Sequence, residues 1–307
     1  LDHSRPAVQS YRGARLEAPL ESALSAQLQA LAGREGVTMF MLLLASFQTL
    51  LHRYSGQDDI RVGVPIANRN RAETEGLIGF FVNTQVMRAQ FAGDLSFRDL
   101  LAQTRQAAMG AQAHQDLPFE QLVEALAPER SLSHSPLFQV LFNHQRDAAP
   151  VTDVADLRIE GLPWDSATAQ FDLTLDTTET AAGLMVSLTY ASDLFEAATI
   201  ARLFEHWQAL LRAIVAAPQQ SIAALPMLAA QERQRILEDW NATATEYPLH
   251  LSVQQLIEAQ VLRTPDAAAL KFADECLSYA QLNARANRLA HKLRSEERRV
   301  GKECRSR

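Results

Sequence analysis

Cysteine is nearly absent from the chain, with Cys276 and Cys304 the only two in 307 residues. Two thiols make neither a disulfide framework nor a four-ligand zinc site, so no metal is expected and a reducing, cytoplasmic setting is. Long apolar runs are missing as well. The longest, Met39 to Ala45, falls far short of the roughly 20 residues that cross a bilayer, so no membrane partner is expected. Positive charge is in deficit: 29 Lys and Arg against 36 Asp and Glu give a net charge of −7. A nucleic-acid surface needs concentrated Lys and Arg, so nucleic acid is not an expected partner either. The opening Leu1 to Pro6 has neither an initiator Met nor a basic-then-apolar leader, from which a missing natural N-terminus is expected.

What is present is ample material for a core, 47% of the residues being hydrophobic. Leu20, Leu24, Leu28 and Leu31 recur at helical spacing and predict an amphipathic helix ending near Gly33 to Gly36. Thr38 is placed to cap a second helix, apolar on nearly every face from Met39 to Leu51 and therefore buried on most sides. Strands are predicted over Asp58 to Pro65, Leu77 to Arg88 and Phe138 to Phe142, and a hairpin from Phe171 to Tyr190 around Thr180 to Gly183. Helical period returns over Phe97 to Ala113, over Phe119 to Leu126, and most clearly along Ile200, Leu203, Phe204, Trp207, Leu210, Leu211 and Ile214. Residues 226–248 read as a linker carrying a short helix at Gln231 to Trp240. Beyond it, Ser252 with Gln255 and Ser278 with Gln281 have capping-box spacing, with a strand-like Ala268 to Phe272 between.

Three segments carry candidate chemistry. In Ile78-Gly79-Phe80-Phe81-Val82-Asn83-Thr84-Gln85, strand alternation puts Phe81, Asn83 and Gln85 on one face, and Gly79 admits a close neighbour. The bland alternative is a buried strand with a satisfied polar pair. In His114-Gln115-Asp116-Leu117-Pro118-Phe119-Glu120, which joins two helices, helix-end charges already explain His114, Asp116 and Glu120, so a structural role is favoured. Arg130 to Phe138 is a polar loop feeding a strand, its hydroxyls suited to turns.

Together and in this order, the three resemble late core motifs of the condensation domains of nonribosomal peptide synthetases. The matching residues are Ile78, Gly79, Phe81, Val82, Asn83 and Thr84, then His114, Gln115, Asp116, Pro118, Phe119 and Glu120. In the third motif Arg130, Pro136 and Leu137 agree, while Leu132 and Ser135 depart. Arg5-Pro6 and Gly63-x-Pro65-x-Ala67-Asn68-Arg69 are similar to the family too, so the resemblance covers residues 1–225. It implies an α/β fold like one lobe of chloramphenicol acetyltransferase, a mixed sheet with packed helices, and an acyltransferase that forms an amide from a carrier-bound thioester and a carrier-bound amine. The implied partners are peptidyl or acyl carrier domains bearing phosphopantetheine, with no cofactor bound directly. Gly79, Phe81, Asn83 and Gln85 would face the substrate tunnel. Arg69 would make an ion pair near it, and Thr84, His114, Gln115, Asp116, Pro118, Phe119, Glu120 and Arg130 would hold the structure. The family's catalytic His-His-x-x-x-Asp-Gly is not among the eight histidines, none of which adjoins another, so it is expected upstream of Leu1 and the piece alone is expected to be inactive.

Leu277-Ser278-Tyr279-Ala280-Gln281-Leu282-Asn283 resembles the first core motif of adenylation domains, and Trp240 to Thr243 the usual junction. Residues 249–293 are thus identified as an adenylation-domain start, a short α/β stub; ATP and Mg would belong only to the intact domain. Residues 294–307, with six basic and three acidic side chains, resemble a translated sequencing adaptor. Two readings stay open beside condensation. One is an epimerisation or cyclisation domain of the same fold, and the other a non-catalytic platform that docks carrier proteins.

Overall fold

The computed structural model describes residues 1–126, 131–146, 153–154, 157–158 and 167–303. They divide into two compact units, Leu1–Leu237 and Glu238–Arg307.

In the first unit the strands and helices follow in the order β1 (Gly13–Pro19), α1 (Ser22–Glu35), α2 (Met39–Ser55), β2 (Asp59–Ile66), α3 (Ala72–Glu75), β3 (Asn83–Gln90), α4 (Phe97–Ala113), α5 (Phe119–Leu126), β4 (Val140–Arg146), the two-residue pair β5 (Asp153–Val154) and β6 (Leu157–Arg158), β7 (Leu173–Thr180), β8 (Gly183–Ala191), α6 (Ala197–Ala216) and α7 (Ala230–Gln234). Six strands form a mixed sheet in the order β1-β8-β7-β4-β2-β3. The central strands β2, β4 and β7 run parallel to one another, and the remaining pairings are antiparallel.

Burial explains the layering. Ile60, Val62 and Val64 of β2 point to one face and are buried, as the alternation predicts. From Met39 to Leu50 of α2 every residue except Phe40 and Met41 is buried, because this helix is apolar nearly all round. Thr38 caps it, accepting from the Met41 N–H at 3.2 Å. The α6 stripe packs inward, and the Trp207 indole donates to Ser46 Oγ at 3.0 Å, which satisfies both buried groups. Gly63 must be glycine: a Cβ there would lie 2.2 Å from the Phe138 ring. On α7, Glu232 meets His206 Nε2 at 2.7 Å, while His206 Nδ1 meets the Tyr54 hydroxyl at 2.5 Å. Burial pushes the Tyr54 hydroxyl up to about 12. This chain of contacts ties the first part of the expected linker to α2 and α6, so the first unit extends to Leu237.

Several elements differ from expectation. β1 was not anticipated; Ala14, Leu16 and Ala18 alternate but are only half-buried, which leaves a weak signal on an edge strand. The strand expected from Leu77 begins at Asn83, because β2 ends opposite it at Ile66 and residues 77–82 have no partner strand among the described residues. β4 starts at Val140 and ends at Arg146, two and four residues later than the apolar run predicts. The helix expected over Gln231 to Trp240 is α7 followed by a π turn, Arg235–Asp239.

The second unit holds α8 (Val253–Arg263), the hairpin β9 (Ala268–Phe272) and β10 (Glu275–Ser278), and α9 (Tyr279–Glu303). Both capping boxes form: Ser252 N–H donates to Gln255 Oε1 at 2.8 Å and Ser278 N–H to Gln281 Oε1 at 3.0 Å. β10 was not expected. Helix α9 continues through Glu303, into the segment that resembles a translated adaptor.

Candidate functional site

The first motif is split between a loop and a strand. Residues 77–82 form an outer loop in which Ile78 and Phe80 are 105% and 88% exposed. Arg69 organises it. Its guanidinium donates to the carbonyl oxygens of Thr74, Leu77 (2.8 Å) and Gly79 (3.2 Å) and lies 4.4 Å from the centre of the Phe81 ring. The Phe81 ring folds back so closely that a Cβ on Gly79 would sit 3.2 Å from it. Among the described residues Arg69 makes no ion pair, contrary to expectation, because three backbone carbonyls and a ring face occupy its donors.

Asn83, the first residue of β3, joins the two motifs. Its Nδ2 donates to the carbonyls of Gln115 (3.1 Å) and Leu117 (2.8 Å), while its Oδ1 accepts from the N–H groups of Phe119 (3.1 Å) and Thr84 (2.9 Å). Every polar atom of the side chain is therefore used in clamping the connection between α4 and α5. His114 caps α4 through its backbone N–H, and Asp116 accepts from Asn70 Nδ2 at 2.8 Å. The Pro118 carbonyl accepts the first α5 bonds, from Gln121 and Leu122. The Phe119 ring stands edge-on to Phe138 at 5.6 Å. Glu120 is exposed in the first turn of α5.

Next to this clamp lies an open cavity of about 380 Å³. It sits where β2 and β4 deliver their carboxyl-terminal residues Val64, Ile66, Asn143 and His144, between the N-terminus of α2 (Thr38, Phe40, Met41) and the last turns of α4 (Ala108, Gln112). The carboxyl ends of parallel strands are where sheets of this kind commonly hold ligands. Gln85 from the first motif and Gln115 from the second both line it. Gln85 is anchored by donating to the Ala111 carbonyl at 2.5 Å. Of the four residues expected to face substrate, Gln85 lines this cavity. Asn83 is turned into the clamp, and Gly79 and Phe81 belong to the outer loop. Arg130 lies outside the described residues.

The sequence reading missed a polar cluster at this end of the sheet. The His144 side chain is largely buried, with Nδ1 at 2.9 Å from Thr177 Oγ1 and Nε2 at 3.2 Å from Glu179 Oε1. Burial pulls its pKa down, Glu179 opposes, and Arg146 adds to the lowering. On the opposite sheet face, burial raises the Asp176 carboxyl, partly offset by the Asn143 amide donating at 3.1 Å and by the Arg15 charge. The signal was available in part: Leu175, Thr177 and Glu179 share one face by alternation, but their partner His144 sits 33 residues away from Thr177 on a strand that pairs in parallel. Arg5, singled out at the sequence level, forms a two-pronged ion pair with Asp172 that raises its own pKa further and straps the first residues to the start of β7.

The first unit is thus a mixed sheet with packed helices and an open cavity at the ends of its parallel strands. Residues 1–237 match the Condensation domain family, and the chain belongs to it. Tyrocidine synthase 3 of Brevibacillus parabrevis is 42% identical over 293 residues, covering 95% of this chain and 4% of that protein. Chondramide synthase cmdD of Chondromyces crocatus is 44% identical over 295 residues, covering 95% and 8%. The chain thus spans less than a tenth of the length of these relatives. Among solved structures, the four-domain nonribosomal peptide synthetase holo-AB3403, bound to AMP and glycine, superposes with a TM-score of 0.83 at 27% identity, covering 96% of this chain and 23% of that one. The X-domain from teicoplanin biosynthesis gives 0.67 at 28% identity, covering 74% and 52%.

Proposed function

We propose that the chain is part of a nonribosomal peptide synthetase module and supplies one wall of the site that forms an amide bond. In that reaction an amine attacks a thioester carbonyl. The C–N bond forms, the C–S bond breaks, the nitrogen gives up a proton and the departing sulfur gains one. Because a thioester is already activated, much of the acceleration comes from holding the two reactants together. The observation that carries the reading is the cavity shared by the two motifs through Gln85 and Gln115. Its mixed lining of apolar side chains and side-chain amides, with no carboxylate among the described residues, suits a phosphopantetheine arm, which supplies the thioester when a carrier domain brings it. Gln85, Gln112 and Gln115 are the groups that would hold that arm's amides, and Phe40, Met41 and Val64 its alkyl parts.

The exposed Ile78 and Phe80 would be covered in the complete domain by its other lobe. That lobe would also carry the paired histidines, since no two histidines adjoin in this sequence. Residues 249–293 are the start of an adenylation domain in this reading; the 96% coverage by a four-domain synthetase supports it. The complete protein works in the cytoplasm with carrier domains of its own or neighbouring modules.

The test uses the intact module with carriers loaded chemically, so that adenylation is bypassed. Gln112→Trp, a rim residue exposed to solvent, should cut amide formation at least tenfold with the melting temperature unchanged. An unaltered rate would remove the cavity from the reaction. The isolated chain should give no product, and amide formation by it would overturn the one-wall reading.

A further inference from the structure

We propose that His144 is a specificity-determining residue of the cavity, held by Thr177 and Glu179 as positioning residues, and that the site admits uncharged substrate side chains and turns away charged ones. The inference rests on the reading of the cavity as part of the amide-forming site, and extends it from the carrier arm to the side chain that the arm brings.

His144 is the one ionisable residue among the described residues that line the cavity. Strand alternation puts it on the helix-covered face with Phe142, and its side chain is 9% exposed. Both ring nitrogens are engaged, by Thr177 and Glu179. Glu179 in turn has both oxygens engaged, the second by Arg146 Nε at 3.3 Å. The Thr177 hydroxyl has one proton and two takers, His144 Nδ1 and the Asn143 carbonyl at 3.2 Å. With a neutral ring, Nε2–H donates to Glu179 and the hydroxyl donates to Nδ1. With a protonated ring, Nδ1–H donates to the hydroxyl, whose own proton turns to Asn143. The ring is thus held in place in either state.

Among the described residues, the charged groups that face it are Glu179 on β7 and Arg146 on its own strand. From α2, α4, β2 and β3 the cavity receives residues such as Phe40, Met41, Gln112, Val64 and Gln85, none of which carries a charge. An entering ammonium group therefore finds no open carboxylate, and an entering carboxylate finds no cation. Either would shed water without a replacement partner, whereas aliphatic, aromatic or amide side chains would not. Acid alters this balance on one side only: burial keeps His144 neutral near neutral pH, and its protonation would make the wall more tolerant of a carboxylate.

The experiment loads leucyl, lysyl and glutamyl groups onto the upstream carrier and, separately, onto the downstream carrier of the intact module. The two arms identify which side chain the cavity reads. For the carrier that matters, leucyl should exceed lysyl and glutamyl in kcat/KM by at least tenfold, chiefly through KM. His144→Asp should raise lysyl relative to leucyl by tenfold or more. Glutamyl acceptance should rise as the pH falls, the rise moving to lower pH in Glu179→Gln and vanishing in His144→Gln. If His144→Asp fails to fold, the flat profile of His144→Gln decides the matter. Unchanged selectivity and an unchanged profile in the folded variants would overturn the inference, while Gln112→Trp still blocking product would show that the site reading survives it. Full activity of Gln112→Trp would instead mean that the site reading had failed.

Discussion

Replacing Asn83 by alanine removes four hydrogen bonds at once, three of which cross to the connection between α4 and α5. A typical intramolecular hydrogen bond contributes about 1 kcal/mol net, and these groups are half-exposed, so water can take over part of the loss. The three long-range bonds together then support about 2 kcal/mol. For a unit extending to Leu237, that corresponds to a fall in Tm of roughly 4–8 °C. Urea unfolding of wild type and Asn83→Ala should show the same loss with an unchanged denaturant slope, and Asn83→Asp should not rescue it. The aspartate keeps the two accepting contacts but presents a carboxylate oxygen to the Gln115 and Leu117 carbonyls. Amide formation by the intact module should decline along with stability, because the clamp borders the cavity. A variant that melts within about 1 °C of wild type would refute the clamp, and selective loss of product in it would return Asn83 to the chemistry.

Gly63→Ala drives a methyl group to 2.2 Å from the Phe138 ring in the middle of the sheet; overpacking of this kind costs about 1–3 kcal/mol, measurable as a lower urea midpoint, with Phe138→Leu as a partial suppressor. Asp176→Asn should raise Tm at neutral pH. Burial favours the protonated carboxyl, so the ionised form costs stability once the pH climbs through the raised pKa, and the gain should disappear below the ordinary value of 3.8. His144 works the other way round: with its pKa below 6.5, the unfolded chain takes up the proton first, so wild type should lose stability as the pH falls from about 6.5 and His144→Gln should lose less. Melting curves at pH 7.5 and about 5.5 check His144, and curves at pH 7.5 and about 3 check Asp176; parallel curves for variant and wild type across the matching pair would refute that assignment.

The local signals were legible in the sequence because they need only neighbours along the chain. Periodicity placed α4 and α5 at their observed limits, Thr38 and the two capping boxes marked helix starts, and the spacing of the motifs carried the family. Alternation also put Gln85 with Asn83 on one face, and both do meet the α4 to α5 region. It could not tell that residues 77–82 stay out of the sheet, since that depends on β2 ending at Ile66 and on Arg69 collecting three carbonyls from the loop. Nor did charge type tell that Arg69 would bind backbone and an aromatic face in place of an acid.

Composition, period and motif order thus determined by themselves most of the helices and the buried strands, which faces are apolar, and the family to which the chain belongs. Tertiary structure alone decided that Asn83 is a clamp, that Gln85 and Gln115 share a cavity, and that His144 rests between Thr177 and Glu179. Each of those facts depends on the register between strands or segments far apart in the chain. Register is set by burial of the whole sheet at once, and no local stretch of sequence encodes it.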